Sequence, residues 1–143
     1  MEINKSAPAV ATHELLINAP AQIIWSLVAE IDRWPNWNPA VKSAKLNGAF
    51  EAGATFDWKS RGISIVSTLQ EIEPASKLVW TGKAIGTRAI HVWSFQNTPT
   101  GVLVCTSESF EGWLVSLMPK AMQKTLDESL VAWLNQLKRR AED

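Results

Sequence analysis

Apolar and polar positions alternate through most of this chain and then switch, near residue 113, to a helical period that runs to the end. Residues 10–18, Val-Ala-Thr-His-Glu-Leu-Leu-Ile-Asn, predict a first strand. Ile23, Ile24, Leu27, Val28 and Ile31 then recur at helical spacing and predict a helix over residues 20–31. Asn18 or Ala19 lies near its cap, and Pro20 falls in the first turn, where a missing N–H costs nothing. The next eight residues, Asp32 to Pro39, hold two prolines four apart, which forbids a regular helix and predicts a short helical turn or loop bearing Trp34 and Trp37.

Six further strands are predicted over residues 41–46, 55–60, 63–72, 77–83, 88–97 and 102–110. Turn signals separate them: Asn47-Gly48, Ala52-Gly53, Arg61-Gly62, residues 73–76 and residues 98–101. The last segment, residues 113–140, puts Leu114, Met118, Met122, Leu126, Leu130, Trp133, Leu134 and Leu137 on one stripe of a long amphipathic helix. Pro119 predicts a kink there, or the point where the regular helix begins. Lys138, Arg139 and Arg140 suit the negative end of that helix. The order predicts an α+β fold: two short helical elements near the N-terminus, a seven-stranded curved antiparallel sheet, and one long helix as its lid.

Composition narrows the function. A chain of 143 residues fits one domain spanning the whole sequence, with residues 1–9 expected to be a flexible arm. Fourteen basic residues balance fourteen acidic ones, so the overall charge gives no attraction to nucleic acid or to anionic lipid. One cysteine, Cys105, forbids an intrachain disulfide, and with only two histidines a zinc site is hard to assemble, so no metal or cofactor is expected. No signal peptide or apolar run of membrane-spanning length is visible; stable membrane insertion is not expected, and the default location is cytoplasmic. Nucleotide-binding, serine-hydrolase and zincin motifs are missing. The unusual number is eight tryptophans. That is more indole than a core of this size usually holds, and it suggests that some line a cavity which a ligand completes.

Several stretches together carry a family resemblance: Asn18-Ala19-Pro20 with Ile24-Trp25, Trp34-Pro35-Asn36-Trp37-Asn38-Pro39, Glu71-Ile72-Glu73-Pro74 before Leu78-Val79-Trp80-Thr81-Gly82, and Glu108-Ser109-Phe110-Glu111-Gly112 before the last helix. In order and spacing the chain, from about residue 11 to 140, resembles the START-like SRPBCC superfamily and its polyketide cyclase/dehydrase-like branch. The resemblance implies a helix-grip fold with a deep cavity and a hydrophobic ligand. It transfers activity less well, because few members are enzymes.

The last hairpin allows candidate residues to be placed. With a four-residue loop at 98–101, Phe95 faces Val104, Trp93 faces Thr106 and His91 faces Glu108, all on the concave side. His91 and Glu108 are therefore the candidate acid–base pair. Trp37, Phe56, Trp58, Trp80, Trp93, Phe95, Thr106, Met118 and Met122 are the candidate ligand contacts, whereas Trp25, Trp34 and Trp133 fit core packing better. Arg61 and Arg88, at strand ends, are read as solvated side chains with the chemistry to hold a carboxylate; Cys105 should face away from the cavity. Three functions fit: a carrier or sensor for a polyketide-, lipid- or isoprenoid-like molecule; a cofactor-independent cyclase, dehydratase or isomerase; or a module like the coenzyme Q-binding relatives, with apolar residues exposed around Trp34, Ala84-Ile85 and residues 113–117. The protein is expected to be a monomer or homodimer.

Overall fold

The computed structural model describes all residues 1–143. Strand β1, Ala9–Ile17, leads into helix α1, Ala21–Ala29, and a 3-10 helix, Ile31–Asn36. Strands β2 (Val41–Asn47), β3 (Thr55–Ser60), β4 (Ile63–Glu73), β5 (Lys77–Ala84), β6 (Thr87–Thr98) and β7 (Gly101–Glu111) follow as a meander. Helices α2, Trp113–Leu117, and α3, Pro119–Ala141, close the chain. The sheet is antiparallel throughout, in the order β1-β7-β6-β5-β4-β3-β2. This is the expected α+β helix-grip, with α3 lying in the concave face.

The boundaries move where local chemistry dictates. Pro20 is the cap of α1 and not a member of its first turn. The Trp-Pro segment winds as a 3-10 helix with Pro35 inside it. The predicted single C-terminal helix is two helices, broken at Met118 (φ −131°, ψ 58°), with Pro119 opening the long one. A proline at that position loses no helical hydrogen bond, so the break falls just before it.

Of residues 1–9, expected to be a flexible arm, Ala9 opens β1 and the residues before it are tethered. The Asn4 amide donates to Ser109 Oγ at 3.0 Å, Asn4 Nδ2 donates to Glu111 at 2.6 Å, and the amino group of Met1 meets Glu71. These partners lie on the convex side of β7 and β4, so the arm crosses the back of the sheet. Edge strand β1 is covered in turn by α3: Gln123 Nε2 donates to the Val10 carbonyl at 2.8 Å, and its Oε1 accepts from the Val10 amide at 3.1 Å. That pairing satisfies an edge that would otherwise be open to another chain.

Candidate functional site

The concave face of the sheet is a set of ladders of residues paired across neighbouring strands. One row joins Phe95 and Val104 to Leu15; the next joins Leu78, Trp93, Thr106 and His13; the next joins Leu69, Trp80, His91, Glu108 and Ala11. A further row reads Phe56, Ser67, Gly82, Ala89 and Phe110, small at its centre. Side-chain size therefore falls abruptly from Trp80 to Gly82 along β5 and from Trp93 to Ala89 along β6.

Above the large rows the interior is full. Trp34, fully buried, has its ring centroid 5.1 to 5.5 Å from those of Phe56, Trp58, Trp80 and Trp133, and its Nε1 donates to the Val28 carbonyl at 3.0 Å. Trp25, Trp37, Trp93 and Phe95 complete this aromatic block. Above the small row lies a cavity of about 430 Å³, open at one end. Its walls include Trp58, Trp80, Ile65, Phe110, Leu114, Met122 and Trp133, with Ser67, Gly82, Ala84 and Ala89 leaving the space. The mouth is formed by Arg61 and Ile63 of the β3–β4 turn, Ile85 of the β5–β6 turn and Leu114 of α2.

The candidate residues divide accordingly. His91, Glu108, Trp58, Trp80 and Met122 line the cavity. Thr106 sits behind His91, fully buried. Trp37, Phe56, Trp93 and Phe95, expected to touch ligand, lie outside the cavity lining, in the packed aromatic block. Face parity placed the strand residues Phe56, Trp93 and Phe95 on the right side of the sheet but did not fix how far along it the void lies; Trp37, at the end of the 3-10 helix, has no strand parity. Met118 is outside the cavity as well, 48% exposed at the break between α2 and α3. Trp133, expected in the core, serves both regions, because it packs on Trp34 and also walls the void. Arg61 reaches the mouth, whereas Arg88 bonds Glu111 at 2.9 Å on the outer side. Cys105 has the parity opposite to Glu108, as expected. The residues that sequence reasoning missed are the small ones, Ser67, Gly82, Ala84 and Ala89. Their signal was concave parity combined with low volume.

His91 and Glu108 are the polar pair at the cavity wall. His91 Nδ1 lies 3.5 Å from Glu108 Oε2, and its Nε2 is 2.7 Å from Thr106 Oγ1. The imidazole is gripped between the indoles of Trp80 and Trp93, at centroid distances of 4.7 and 5.4 Å. Burial disfavours charge on both partners: it pulls the His91 imidazole down to about 3 and pushes the Glu108 carboxyl up to about 8. At neutral pH the pair is thus an uncharged imidazole beside a protonated carboxyl. The 3.5 Å gap is too long for a good direct hydrogen bond. It leaves the Glu108 carboxyl and the Nδ1 atom of His91 free to meet a third polar atom.

The turn that brings Arg61 to the mouth is strained. Arg61 (φ 51°) and Gly62 (φ 81°) both occupy the left-handed region, where a non-glycine residue costs about 1–2 kcal/mol. The Arg61 amide donates to the Ala40 carbonyl at 3.0 Å, which holds the turn in place.

The family model described as "Polyketide cyclase / dehydrase and lipid transport" matches residues 8–142. The chain belongs to this family. Among solved structures, this family member is similar to hypothetical protein jhp0584 from Helicobacter pylori (TM-score 0.86, 16% identity, covering 97% of this chain and 91% of that one). It is also similar to the Zhui aromatase/cyclase from Streptomyces sp. R1128 (TM-score 0.82, 13% identity, 93% of each chain). A START superfamily protein from Mycobacterium smegmatis gives a TM-score of 0.79 at 18% identity, covering 93% of this chain and 97% of that one. No protein of curated function matches the chain. At these identities the likeness shows the START-like SRPBCC fold of this polyketide cyclase/dehydrase-like domain, and its chemistry must come from its own residues.

Proposed function

We propose that the protein binds one small hydrophobic molecule, polyketide-, lipid- or isoprenoid-like, in the hollow end of the grip, as a carrier or sensor. The observation that carries this reading is the cavity of about 430 Å³, whose volume lies in the ligand-site range of roughly 300–1,000 Å³. Its walls favour a flat apolar body held among Trp58, Trp80 and Trp133. The uncharged Glu108–His91 pair supplies one donor and one acceptor for a carbonyl or hydroxyl, without the cost of burying a charge.

Quenching of tryptophan emission by a fused-ring phenol tests this. Three indoles line the void, so the wild-type protein should show saturable quenching. Gly82→Leu should abolish it. A Cβ at Gly82 meets Ser67 Oγ at 3.1 Å and Ile65 at 3.4 Å, and a longer side chain has to enter the void. Saturation that is equal in both proteins would refute the reading.

The acid–base pair favours a second reading, a cofactor-independent cyclase, dehydratase or isomerase. In that case Glu108 gives a proton to a ligand oxygen while Nδ1 of His91 takes one, with Thr106 fixing the imidazole through Nε2. Substitution by Gln separates the two. A carrier with Glu108→Gln or His91→Gln keeps its ligand with modest loss, whereas an enzyme keeps binding and loses turnover by orders of magnitude.

A further inference from the structure

The three most exposed large apolar side chains, Ile85 (72%), Leu117 (71%) and Trp113 (65%), gather at the cavity mouth. Ile85 lines the cavity, and the next residue, Gly86, is so close to the Trp113 indole that an added Cβ would meet it at 2.8 Å. The Leu114 amide donates to the Gly86 carbonyl at 3.1 Å and docks α2 on that turn. Leu117 ends α2, and Ile63, 45% exposed, stands on the other lip. Isolated surface apolar residues need no explanation, but a cluster around an opening does.

Charge at this end is equally uneven. Residues 58–70, 78–92 and 112–126 contain no Asp or Glu, yet they hold Lys59, Arg61, Lys83, Arg88, Lys120 and Lys124. Glu108 lies inside the cavity, and Glu111 is taken by Arg88 and Asn4. Arg61 and Lys83, which line the cavity, have no acidic partner. The net charge of zero thus conceals a basic mouth.

We infer that this end is a docking surface for an anionic lipid bilayer, with Ile85, Trp113 and Leu117 entering the interfacial zone while Arg61 and Lys83 meet lipid phosphates. Exposed aliphatic tips, an interfacial tryptophan and flanking cations are what such a surface selects. No helix is long and apolar enough to cross a membrane, so the attachment is peripheral. A second copy fits less well, because a self-complementary contact here would bring like cations together. That the mouth hands an apolar ligand to the bilayer rests on the ligand reading above; the surface itself does not.

Co-sedimentation of the full chain with phosphatidylcholine vesicles, with and without phosphatidylglycerol, tests the inference. The expected result is pelleting with the anionic vesicles that weakens as salt is raised. Two double variants, Trp113→Ser with Leu117→Ser and Arg61→Glu with Lys83→Glu, should each weaken it by about tenfold or more. Circular dichroism checks that both remain folded, and fused-ring phenol quenching, which reads the cavity alone, separates failure of docking from failure of ligand binding. Absence of pelleting, or pelleting that the double variants leave unchanged, would overturn the inference. So would a dimer that forms through Leu117 without any vesicle binding.

Discussion

One concave surface, made by the same strands, behaves as two regions. In the packed half, Trp34 is ringed by Phe56, Trp58, Trp80 and Trp133 and space is filled to the limit. In the hollow half, two to four residues along the same strands, Ser67, Gly82 and Ala89 leave a ligand-sized void. Bulky aromatic residues do not make the cavity here. They make the rigid wall against which small residues leave it.

The largest expected effect comes from breaking the packed half. Trp34→Ala removes the hub of the aromatic block and should cost about 3–5 kcal/mol in urea denaturation, because the surrounding rings cannot close over the gap. Filling the hollow half has the opposite signature. Gly82→Leu should lower ligand affinity by about a hundredfold or more, equal to roughly 3 kcal/mol, while leaving the unfolding midpoint near that of the wild type.

The acid–base pair sharpens the contrast through pH. Folded His91 binds its proton only near pH 3 against an ordinary value of 6.5, so the unfolded chain holds more protons in that interval and stability rises with pH across it. Folded Glu108 keeps its proton to about 8 against an ordinary 4.5, so stability falls with pH across that interval. The two contributions oppose each other between 4.5 and 6.5. Glu108 then acts alone from 6.5 to 8, where the loss should be on the order of 2 kcal/mol. Denaturation midpoints across that range should drop in the wild type and stay level in Glu108→Gln; an equal drop in both would assign the effect elsewhere. The smallest effect is expected at Met118. Met118→Ala, at an exposed position away from the void, should leave stability within about 0.5 kcal/mol and ligand affinity unchanged.

Periodicity made the fold legible. Alternation located the strands, and the stripe from Met122 to Leu137 located the lid, because burying one face imposes those spacings directly. The hairpin register at residues 91–108 follows from its turn, so the pairing of His91 with Glu108 is legible in the sequence. Depth along the sheet was not legible. Nothing in the alternation distinguishes Trp93, sealed in the core, from Trp80, at the void, since both point inward. That distinction arises from which small residues the register sets side by side, such as Gly82 against Ala89. The uneven placement of charge was hidden for a similar reason: a sum over the chain carries no geometry.

The most direct test of the hollow half is native mass spectrometry of the purified protein beside its Gly82→Leu variant, both expressed in the same cells. The account predicts a small apolar adduct, or one formed on adding a fused-ring phenol, on the wild type and not on the variant. Adducts of equal mass and occupancy on both proteins would contradict it.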